Sequence, residues 1–455
     1  MAADISTPRT KPFWQTFLFF VIPLMAANIL QSLSGTINNI FLGQMIGVKA
    51  LAAAAVFFPI MFLFISFLIG MSAGASVLIG QAYGARNHER IKAITGTVLT
   101  VALSGGLVIG ILSAVFTPNL LAMLGTPEDI FPDAVAFARV SFLSMPIMFL
   151  FFISSALLRG VGDTVTPLVS LVVSTAIGAV VTPALIQGWL GLPRLGVVAP
   201  AVASLVAFSM SVLALVLYLR WRRHAMAPDM TLIPHLRPDP AILKLVLRLG
   251  VPTGVQMVTG AVAGIVIIGL VNRFGSDATA AYGAVNQVLS YVQFPAISIA
   301  IAASIFGAQA IGADQADRLG QVTRVALVMN LLLTGSLVVL VYLGSEMLIG
   351  LFIADPEIVE LSKRLLHIVT WATVLFGAGS VLAGVMRSSG TVLVPMLISI
   401  FVIVGVELPI AVWLSMQIGI TGIWWGYVAS FAALPVLQGA YFWFVWRSKR
   451  IVALI

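Results

Sequence analysis

The stretch GQAYGARNHER at residues 80–90 recurs in modified form as AQAIGADQADR at residues 308–318. The same offset of 228 residues also aligns, without a gap, a second motif further along each half of the chain. A repeat this long is not a solenoid unit, which spans roughly 20–50 residues. The sequence therefore predicts two tandem copies of one large folding unit. The matched identities include Gln81 with Gln309, Gly84 with Gly312, Arg159 with Arg387, Gly162 with Gly390 and Pro167 with Pro395.

The composition excludes a soluble protein. Of the 455 residues, 60% are apolar and only 9% are charged, whereas a soluble domain has about 25% charged residues. Twelve apolar stretches are long enough for helices that cross a bilayer, and they are continuous, unlike the alternating strands of a membrane barrel. We therefore predict an all-α membrane protein with twelve transmembrane helices in two pseudo-symmetric six-helix bundles. The predicted spans are approximately 14–42, 51–80, 93–116, 134–158, 165–189, 196–219, 241–272, 278–308, 323–345, 359–385, 392–415 and 419–446.

Basic residues predict the orientation in the membrane. If both termini are cytoplasmic, 18 of the 24 Lys and Arg residues lie on the inner side, as the positive-inside rule requires. We predict an N-lobe at residues 1–219 with helices 1–6, a cytoplasmic linker at 220–240 and a C-lobe at 241–455 with helices 7–12. Two parallel repeats joined in this way suit alternating access around a midplane site. Tryptophans are expected at the outer interface (Trp189, Trp413, Trp424, Trp425) and at the inner one (Trp14, Trp221, Trp443, Trp446).

Several chemistries lack the residues that they need. The chain has no cysteine, which excludes disulfides and thiolate metal sites, and no Gly-Lys pair, which an ATP-binding phosphate loop would contain. Its four histidines have no ligand spacing. We therefore predict no enzymatic activity, no cofactor and no resident metal, with H+ or Na+ as the coupling ion. The net charge of +8 indicates contact with the inner leaflet rather than with nucleic acid. The expected partners are a small-molecule substrate and the lipid bilayer, for a monomer in the cell inner membrane.

One acidic residue, Glu407, lies deep inside a predicted span, within FVIVGVELPIAVW at residues 401–413. Ionisable groups in a bilayer are costly, so an embedded acid suggests a function. Burial favours the neutral carboxyl, which could lose its proton when water or a cation enters. Pro409 removes a backbone donor and frees carbonyls that could also bind an ion. We predict that Glu407 is the ion-coupling residue; the alternative is a permanently neutral side chain bonded to a neighbouring helix.

Polar amides inside the spans form a second set of candidates. They could hydrogen-bond a substrate or an ion without a buried charge, but amides also hold helices together. The repeated motif residues are instead predicted to be structural, with Gln81 and Gln309 bonded to loop backbones. Gly84 and Gly312 are expected to cap helices in the left-handed conformation, and the paired arginines Arg159 and Arg387 to anchor helix ends at the inner face. The candidate cavity amides are Asn28, Asn38, Asn39, Gln256, Asn286 and Gln287.

The duplicated unit with its glycine-glutamine motifs, together with LLRGVGDTVTP at 157–167 and INNIFLG at 37–43, resembles the multidrug and toxic compound extrusion (MATE) family. The resemblance covers nearly the whole chain. It implies two six-helix lobes in a V, in which entry of Na+ or H+ drives export of cationic, amphipathic compounds. It also implies an acid in the first span, where this chain has Asn38, and often one in the fifth, where it has Thr182. Coupling is therefore expected either at Glu407 or at amides and hydroxyls that bind a cation without titrating.

Other functions remain open alternatives. A lipid-linked oligosaccharide flippase of the same broad superfamily would need cationic residues in its groove, and no Lys or Arg lies in the middle of a span. A membrane-embedded transferase would need clustered histidines or acids at one depth, and a channel would need a ring of like residues. The sequence therefore favours a secondary active transporter that exports small organic compounds by H+ or Na+ antiport.

Overall fold

The computed structural model describes residues 12–222, 224 and 226–455, and all regular elements in this part of the chain are helical. Eleven helical segments are long and apolar enough to cross a membrane, and one bent helix pair raises the number to as many as twelve. The prediction of an all-α membrane fold is thus confirmed. The helices are α1 (Phe13–Phe41), α2 (Val48–Gly84), α3 (His88–Met123), α4 (Phe131–Leu143), α5 (Met145–Gly160), α6 (Val165–Gln187), α7 (Ala199–Trp221), α8 (Pro240–Val271), α9 (Ser276–Gly312), α10 (Leu319–Gly350), α11 (Pro356–Val369), α12 (Thr373–Ser388), α13 (Leu393–Phe401), α14 (Leu408–Ile418) and α15 (Ile420–Phe444), with π-helical segments at Leu42–Ile46 and Val402–Glu407.

The fourth predicted span, at residues 134–158, is a bent pair of helices instead of one straight helix. α4 and α5 meet at Ser144 with a bend of 48°. Pro146 follows the break, and proline both lacks a backbone donor and disfavours helical geometry in the residue before it. A Cβ atom on Gly106 of α3 would lie only 2.8 Å from Pro146 Cα, so the bend sits in close backbone contact with α3.

Contacts divide the described chain into two compact units. Unit 1 comprises Ala26–Gly250, and unit 2 comprises Val251–Ile455 together with residues 12–25. The first turns of α1 and of α8 therefore each belong to the unit that is built mainly from the other half of the chain. The lobe boundaries that the sequence suggests, with a linker at 220–240, remain a prediction.

Close packing explains why the first turns of α1 belong to unit 2 and those of α8 belong to unit 1. In unit 2, the ring centroids of Phe17 and Phe20 lie 5.4 and 5.1 Å from that of Phe306 on α9. In unit 1, a Cβ atom on Gly250 would lie 2.9 Å from the carbonyl oxygen of Gly70 on α2. Inside a bilayer such contacts stabilise the fold by close van der Waals packing, because lipid tails are as apolar as the side chains.

The repeated glycine-glutamine motif ends α2 and α9 in the same way. Each helix closes with a Schellman turn, in which a backbone N–H bonds to the carbonyl five residues earlier. The left-handed residues are Arg86 (φ 55°) and Asp314 (φ 57°), each two residues after the motif glycine. The prediction that Gly84 and Gly312 adopt this conformation is therefore wrong, because helical bonding continues one residue past each glycine. The closing bonds join Asn87 N to Ala82 O at 3.0 Å and Gln315 N to Ala310 O at 2.9 Å.

Two tryptophans that the sequence places at membrane interfaces are buried in unit 2. Trp424 is 0% exposed, and Trp446 is also buried and donates from Nε1 to Ser389 Oγ at 3.1 Å. These two side chains do not face lipid, because hydrophobic residues of the same unit surround them, and their depth near the interface remains a prediction. The remaining predicted anchors have exposed side chains: Trp14, Trp189, Trp221, Trp413, Trp425 and Trp443.

The linker after α7 packs against α3 within unit 1. Thr100 Oγ1 donates to Leu236 O at 2.9 Å, and Asp239 N donates to Thr97 Oγ1 at 3.1 Å. Gly96 directly precedes Thr97 on α3, and a Cβ atom there would stand 2.2 Å from His235 O. Only a residue without a side chain lets the linker backbone approach α3 so closely.

Polar side chains also hold the linker against α3. The Thr231 hydroxyl donates to Asp229 Oδ1 at 2.5 Å, and this hydrogen bond lowers the pKa of Asp229 below its usual value. Lys92 Nζ of α3 also bonds to Thr231 Oγ1.

We expect Gly96→Val to undock the linker. The added side chain collides with backbone at His235, which cannot rotate away, and overpacking of this kind costs about 1–3 kcal/mol. Limited trypsin digestion of the detergent-solubilised protein should then cleave within residues 220–240 about fivefold faster or more, since cleavage follows the open population. Gly105→Val on the same helix, where no atom lies within 4 Å of the added Cβ, is the control. Equal cleavage rates in the two variants would show that the linker does not rest on Gly96.

Candidate functional site

Glu407 is the last residue of the π-helical segment Val402–Glu407, between α13 and α14. The N–H of Leu408 bonds to Ile403 O, a π-type bond, and Pro409 supplies no N–H, so regular α-helical bonding is interrupted here. π-helical turns frequently mark functional sites. The Glu407 side chain is 8% exposed and lies inside unit 2.

Two glycines bring α15 against this segment. A Cβ atom on Gly426 would lie 2.9 Å from Glu407 O, and one on Gly422 would lie 2.2 Å from the carbonyl carbon of Leu414. Ser430 follows on the same face of α15, one turn after Gly426. Its hydroxyl donates to Tyr427 O at 3.0 Å and lies near the Glu407 carboxyl group. The close approach of α15 therefore gives the buried acid a polar neighbour.

Aromatic side chains complete the surroundings of Glu407. Tyr282 of α9 and Tyr427 of α15 share a hydrogen bond between their hydroxyls at 3.0 Å, and both interact electrostatically with Glu407. The Trp424 ring lies 5.4 Å from that of Tyr282 and 5.5 Å from that of Tyr427. Its buried Nε1 donor has no hydrogen-bond partner among the described residues. We call Glu407, Ser430, Tyr427, Tyr282 and Trp424 the Glu407 cluster.

The six candidate amides lie outside the Glu407 cluster. Three belong to unit 1 on α1, and the other three belong to unit 2 on α8 and α9. Most are half-buried, whereas Asn286 is exposed. The unit 1 members are Asn28, Asn38 and Asn39, and the unit 2 members are Gln256, Asn286 and Gln287.

Neutral groups occupy the positions where the family resemblance implies acids. Asn38 is half-buried, and Thr182 is fully buried with a hydroxyl that lacks a hydrogen-bond partner among the described residues. Nearby in the same two helices, Ser34 Oγ and Thr175 Oγ1 lie 2.7 Å apart and join α1 to α6. No titratable side chain has replaced the missing acids at these two positions.

The other motif residues have structural surroundings. Gln81 and Gln309 are fully buried, and Arg159 and Arg387 are half-buried in the last turns of α5 and α12. A cation suits a helix C-terminus because the helix dipole is negative there. Asp163 in the motif LLRGVGDTVTP accepts bonds from Val165 N and Thr166 N, at 3.1 and 2.9 Å, and so caps α6. The roles of the paired glutamines and arginines remain predictions.

The partners of Glu407 could not be predicted from the sequence, because they come from α9 and α15 and not from the helix that carries the acid. One signal does exist in the sequence. Gly422, Gly426 and Ser430 recur every four residues and form a small-residue stripe of the kind that lets helices approach closely. In the described part of the chain, no group of three or more His, Cys, Asp or Glu side chains could hold a metal ion.

Comparison with known proteins supports one family. The MatE family model matches residues 23–184 and matches again at residues 252–413. The chain is 44% identical to the probable multidrug resistance protein YoeA of Bacillus subtilis, over 99% of this chain and 98% of the relative. It is 25% identical to the probable multidrug resistance protein NorM of Thermotoga maritima, over 95% of this chain and 92% of the relative.

Solved structures share the fold. The bent form of the Vibrio cholerae MATE transporter VcmN superposes with a TM-score of 0.86 at 18% identity, covering 96% of this chain and 97% of that one. An outward-facing multidrug resistance MATE family transporter of the MOP superfamily superposes with a TM-score of 0.87 at 21% identity, covering 94% and 95%. The two matches of one family model, one in each half, agree with the predicted duplication.

Proposed function

The chain belongs to the MatE family, and from this membership we propose that it is a secondary active efflux transporter that exports small organic compounds in exchange for H+ or Na+. It is a transporter and not an enzyme. The relatives are named for multidrug resistance, which supports drug-like organic compounds as the cargo. The proposed setting is the cell inner membrane with both termini cytoplasmic, in line with the distribution of Lys and Arg.

The observation that carries ion coupling is the buried Glu407. A carboxyl group held among Ser430, Tyr427 and Tyr282 can change its charge when it takes up or releases a cation. A change of charge inside a low-dielectric bundle is large in energy, so it can favour one conformation over another. With Asn38 and Thr182 at the positions where the family resemblance implies acids, Glu407 is the proposed coupling group.

The proposed cycle is alternating access between the two predicted lobes, 1–219 and 241–455, joined by the linker at 220–240. Known structures of relatives in bent and outward-facing conformations support this part of the proposal. The amides supply neutral hydrogen-bonding groups for the substrate or ion. Those proposed to line the cavity are Asn28, Asn38, Asn39, Gln256, Asn286 and Gln287.

Transport by the purified protein in proteoliposomes tests the proposal, with ethidium as the probe. An H+ gradient and a Na+ gradient are imposed separately, and ethidium accumulation is followed by fluorescence against protein-free liposomes. We expect at least one of the two gradients to drive accumulation well above the protein-free level. If neither gradient moves ethidium, ion-coupled export of organic cations is wrong.

A further inference from the structure

We infer that unit 2 binds the headgroup of one zwitterionic phospholipid, in a cavity between α10, α11 and α15 that the proposed transport cycle does not use. The cavity has a volume of about 480 Å³, within the range of about 300–1,000 Å³ that is usual for small-molecule sites. The expected ligand carries a phosphate and a primary ammonium group close together, as phosphatidylethanolamine does. The lining of the cavity includes Glu360, Lys363, Arg364, His367, Trp371 and Trp425.

One side of α11 is polar along its whole length, and the opposite side is buried in unit 2. The polar residues recur at helical spacing and therefore share one face. They are Glu360, Lys363, Arg364 and His367. The buried residues of α11 are Ser362, Leu365, Leu366 and Val369. Charged side chains are costly in a helix that enters a membrane, so a charged face of this kind suggests a ligand.

The charges on this face are not paired one to one. Lys363 Nζ lies 3.4 Å from Glu360 Oε2 and 4.0 Å from Glu346 Oε2 of α10, so two carboxylates share one ammonium group. Arg364 is exposed and has no ion pair or hydrogen bond with any other described residue. One negative and one positive charge therefore remain for a ligand. Exposed ion pairs such as those of Lys363 are weak, so a ligand can compete with them.

A phosphoethanolamine group matches these two charges. The planar guanidinium group of Arg364 can donate two parallel hydrogen bonds to phosphate oxygens. Glu360 lies four residues earlier on the same helix, about 5–6 Å away at Cβ, which is within reach of the other end of a compact zwitterion. A primary ammonium group can donate to its carboxylate. The indoles of Trp371 and Trp425 line the same cavity and attract cations.

The wall of the cavity is held in a fixed shape by bonds between α10 and α11. The rings of Tyr342 and His367 stack, with centroids 4.6 Å apart and an interplanar angle of 17°. The Tyr342 hydroxyl donates to His367 O at 2.5 Å, and His367 Nε2 shares a hydrogen bond with Ser345 Oγ at 3.0 Å. A site whose walls are already ordered loses less entropy when a ligand binds.

The surroundings favour a lipid over a soluble phosphate ester. Tryptophans concentrate at the depth of the lipid headgroups, and the two in this cavity remain 43% (Trp371) and 42% (Trp425) exposed. Next to Tyr342, α10 exposes Leu340 and Leu343, and an acyl chain can lie along them. In the proposed orientation the cavity lies at the outer end of unit 2, so the lipid belongs to the outer leaflet.

Native mass spectrometry of the purified full-length protein, titrated with dioctanoylphosphatidylethanolamine in detergent, tests the site. We expect one lipid to bind per chain, with a Kd raised about tenfold in Arg364→Gln, because a charge-assisted hydrogen bond is lost. Arg364→Lys should recover only part of the affinity, since an ammonium group cannot form the paired bonds. Arg273→Gln removes another exposed arginine of unit 2, outside the cavity lining, and should bind as the unsubstituted protein does. Equal affinity in Arg364→Gln and Arg273→Gln would overturn the inference.

Related ligands identify the chemistry that the site recognises. Glycerophosphoethanolamine lacks the acyl chains and should bind at least about tenfold more weakly, since each buried CH₂ adds affinity. If it binds as tightly as the lipid, the site takes a soluble ester and the lipid assignment is wrong. Dioctanoylphosphatidylglycerol lacks the ammonium group and should also bind more weakly; equal affinity would contradict a zwitterionic ligand. Binding is measured without transport, so a failure of ethidium export would leave this lipid site standing, and a failure of the lipid site would leave export untouched.

Discussion

Replacing Glu407 with glutamine is expected to reduce gradient-driven ethidium accumulation to the level of protein-free liposomes. Glutamine has nearly the same shape, and its amide can still form a hydrogen bond with the Ser430 hydroxyl. The site therefore keeps its hydrogen bond but can no longer change charge. Without that change, the ion gradient has no differential effect on the two conformations and cannot drive export.

Two controls define this experiment. Glu346→Gln removes an exposed carboxyl of unit 2 and should accumulate ethidium as the unsubstituted protein does. The Kd of Glu407→Gln for ethidium in detergent, measured by fluorescence anisotropy, should stay within about twofold of the unsubstituted value. The substitution removes ion exchange, and ethidium binding in the absence of a gradient does not require that exchange. Glu407→Asp should retain part of the accumulation. A Glu407→Gln protein that exports ethidium at the full rate under an imposed gradient would refute the role of Glu407.

The second large effect is expected for Gly426→Val. Its Cβ atom would lie 2.9 Å from Glu407 O and 2.7 Å from Ala411 Cβ, before the two methyl groups of valine are added. α15 must then move away from α14, at a cost of about 1–3 kcal/mol for overpacking. The displacement takes Ser430 away from Glu407. We expect lower thermal stability in detergent together with loss of ethidium export.

A matched substitution separates local from general damage. Gly335→Val adds the same side chain to α10, where no atom lies within 4 Å of the new Cβ, and should leave melting temperature and export nearly unchanged. If Gly426→Val fails to fold, Gly426→Ala should show the same loss of export in a folded protein. A Gly426→Val protein with an unchanged melting temperature would mean that α14 and α15 are not in close contact.

Much of the fold was predictable because a bilayer imposes strong patterns on sequence. Each span must satisfy its backbone groups internally, so long apolar runs predict helices with little ambiguity. Details set by local packing were not predictable. Pro146 signals a break in the fourth span, but the helix bends to 48° in contact with Gly106, which the sequence does not specify. The left-handed caps fall on Arg86 and Asp314, where glycine is the usual residue.

Of the Glu407 cluster, only Glu407 itself could be predicted from the sequence. Glu407 stands out because a single carboxyl group in an apolar run is costly, whatever surrounds it. Its neighbours depend on which face of α15 turns inward, and a nearly all-apolar helix gives no hydrophobic stripe to decide this. Trp424 illustrates the difficulty: a tryptophan near the end of a span usually marks an interface, yet here it is buried beside Tyr282 and Tyr427.

Substrate-induced ion movement tests coupling through Glu407 most directly. Proteoliposomes are filled with a pH-sensitive or a Na+-sensitive dye, pH and Na+ are held equal on both sides, and ethidium is added outside. H+ or Na+ should leave the lumen as ethidium enters, with the same response in Glu346→Gln and none in Glu407→Gln. Ethidium entry without movement of either ion, or an unaltered ion response in Glu407→Gln, would contradict the account.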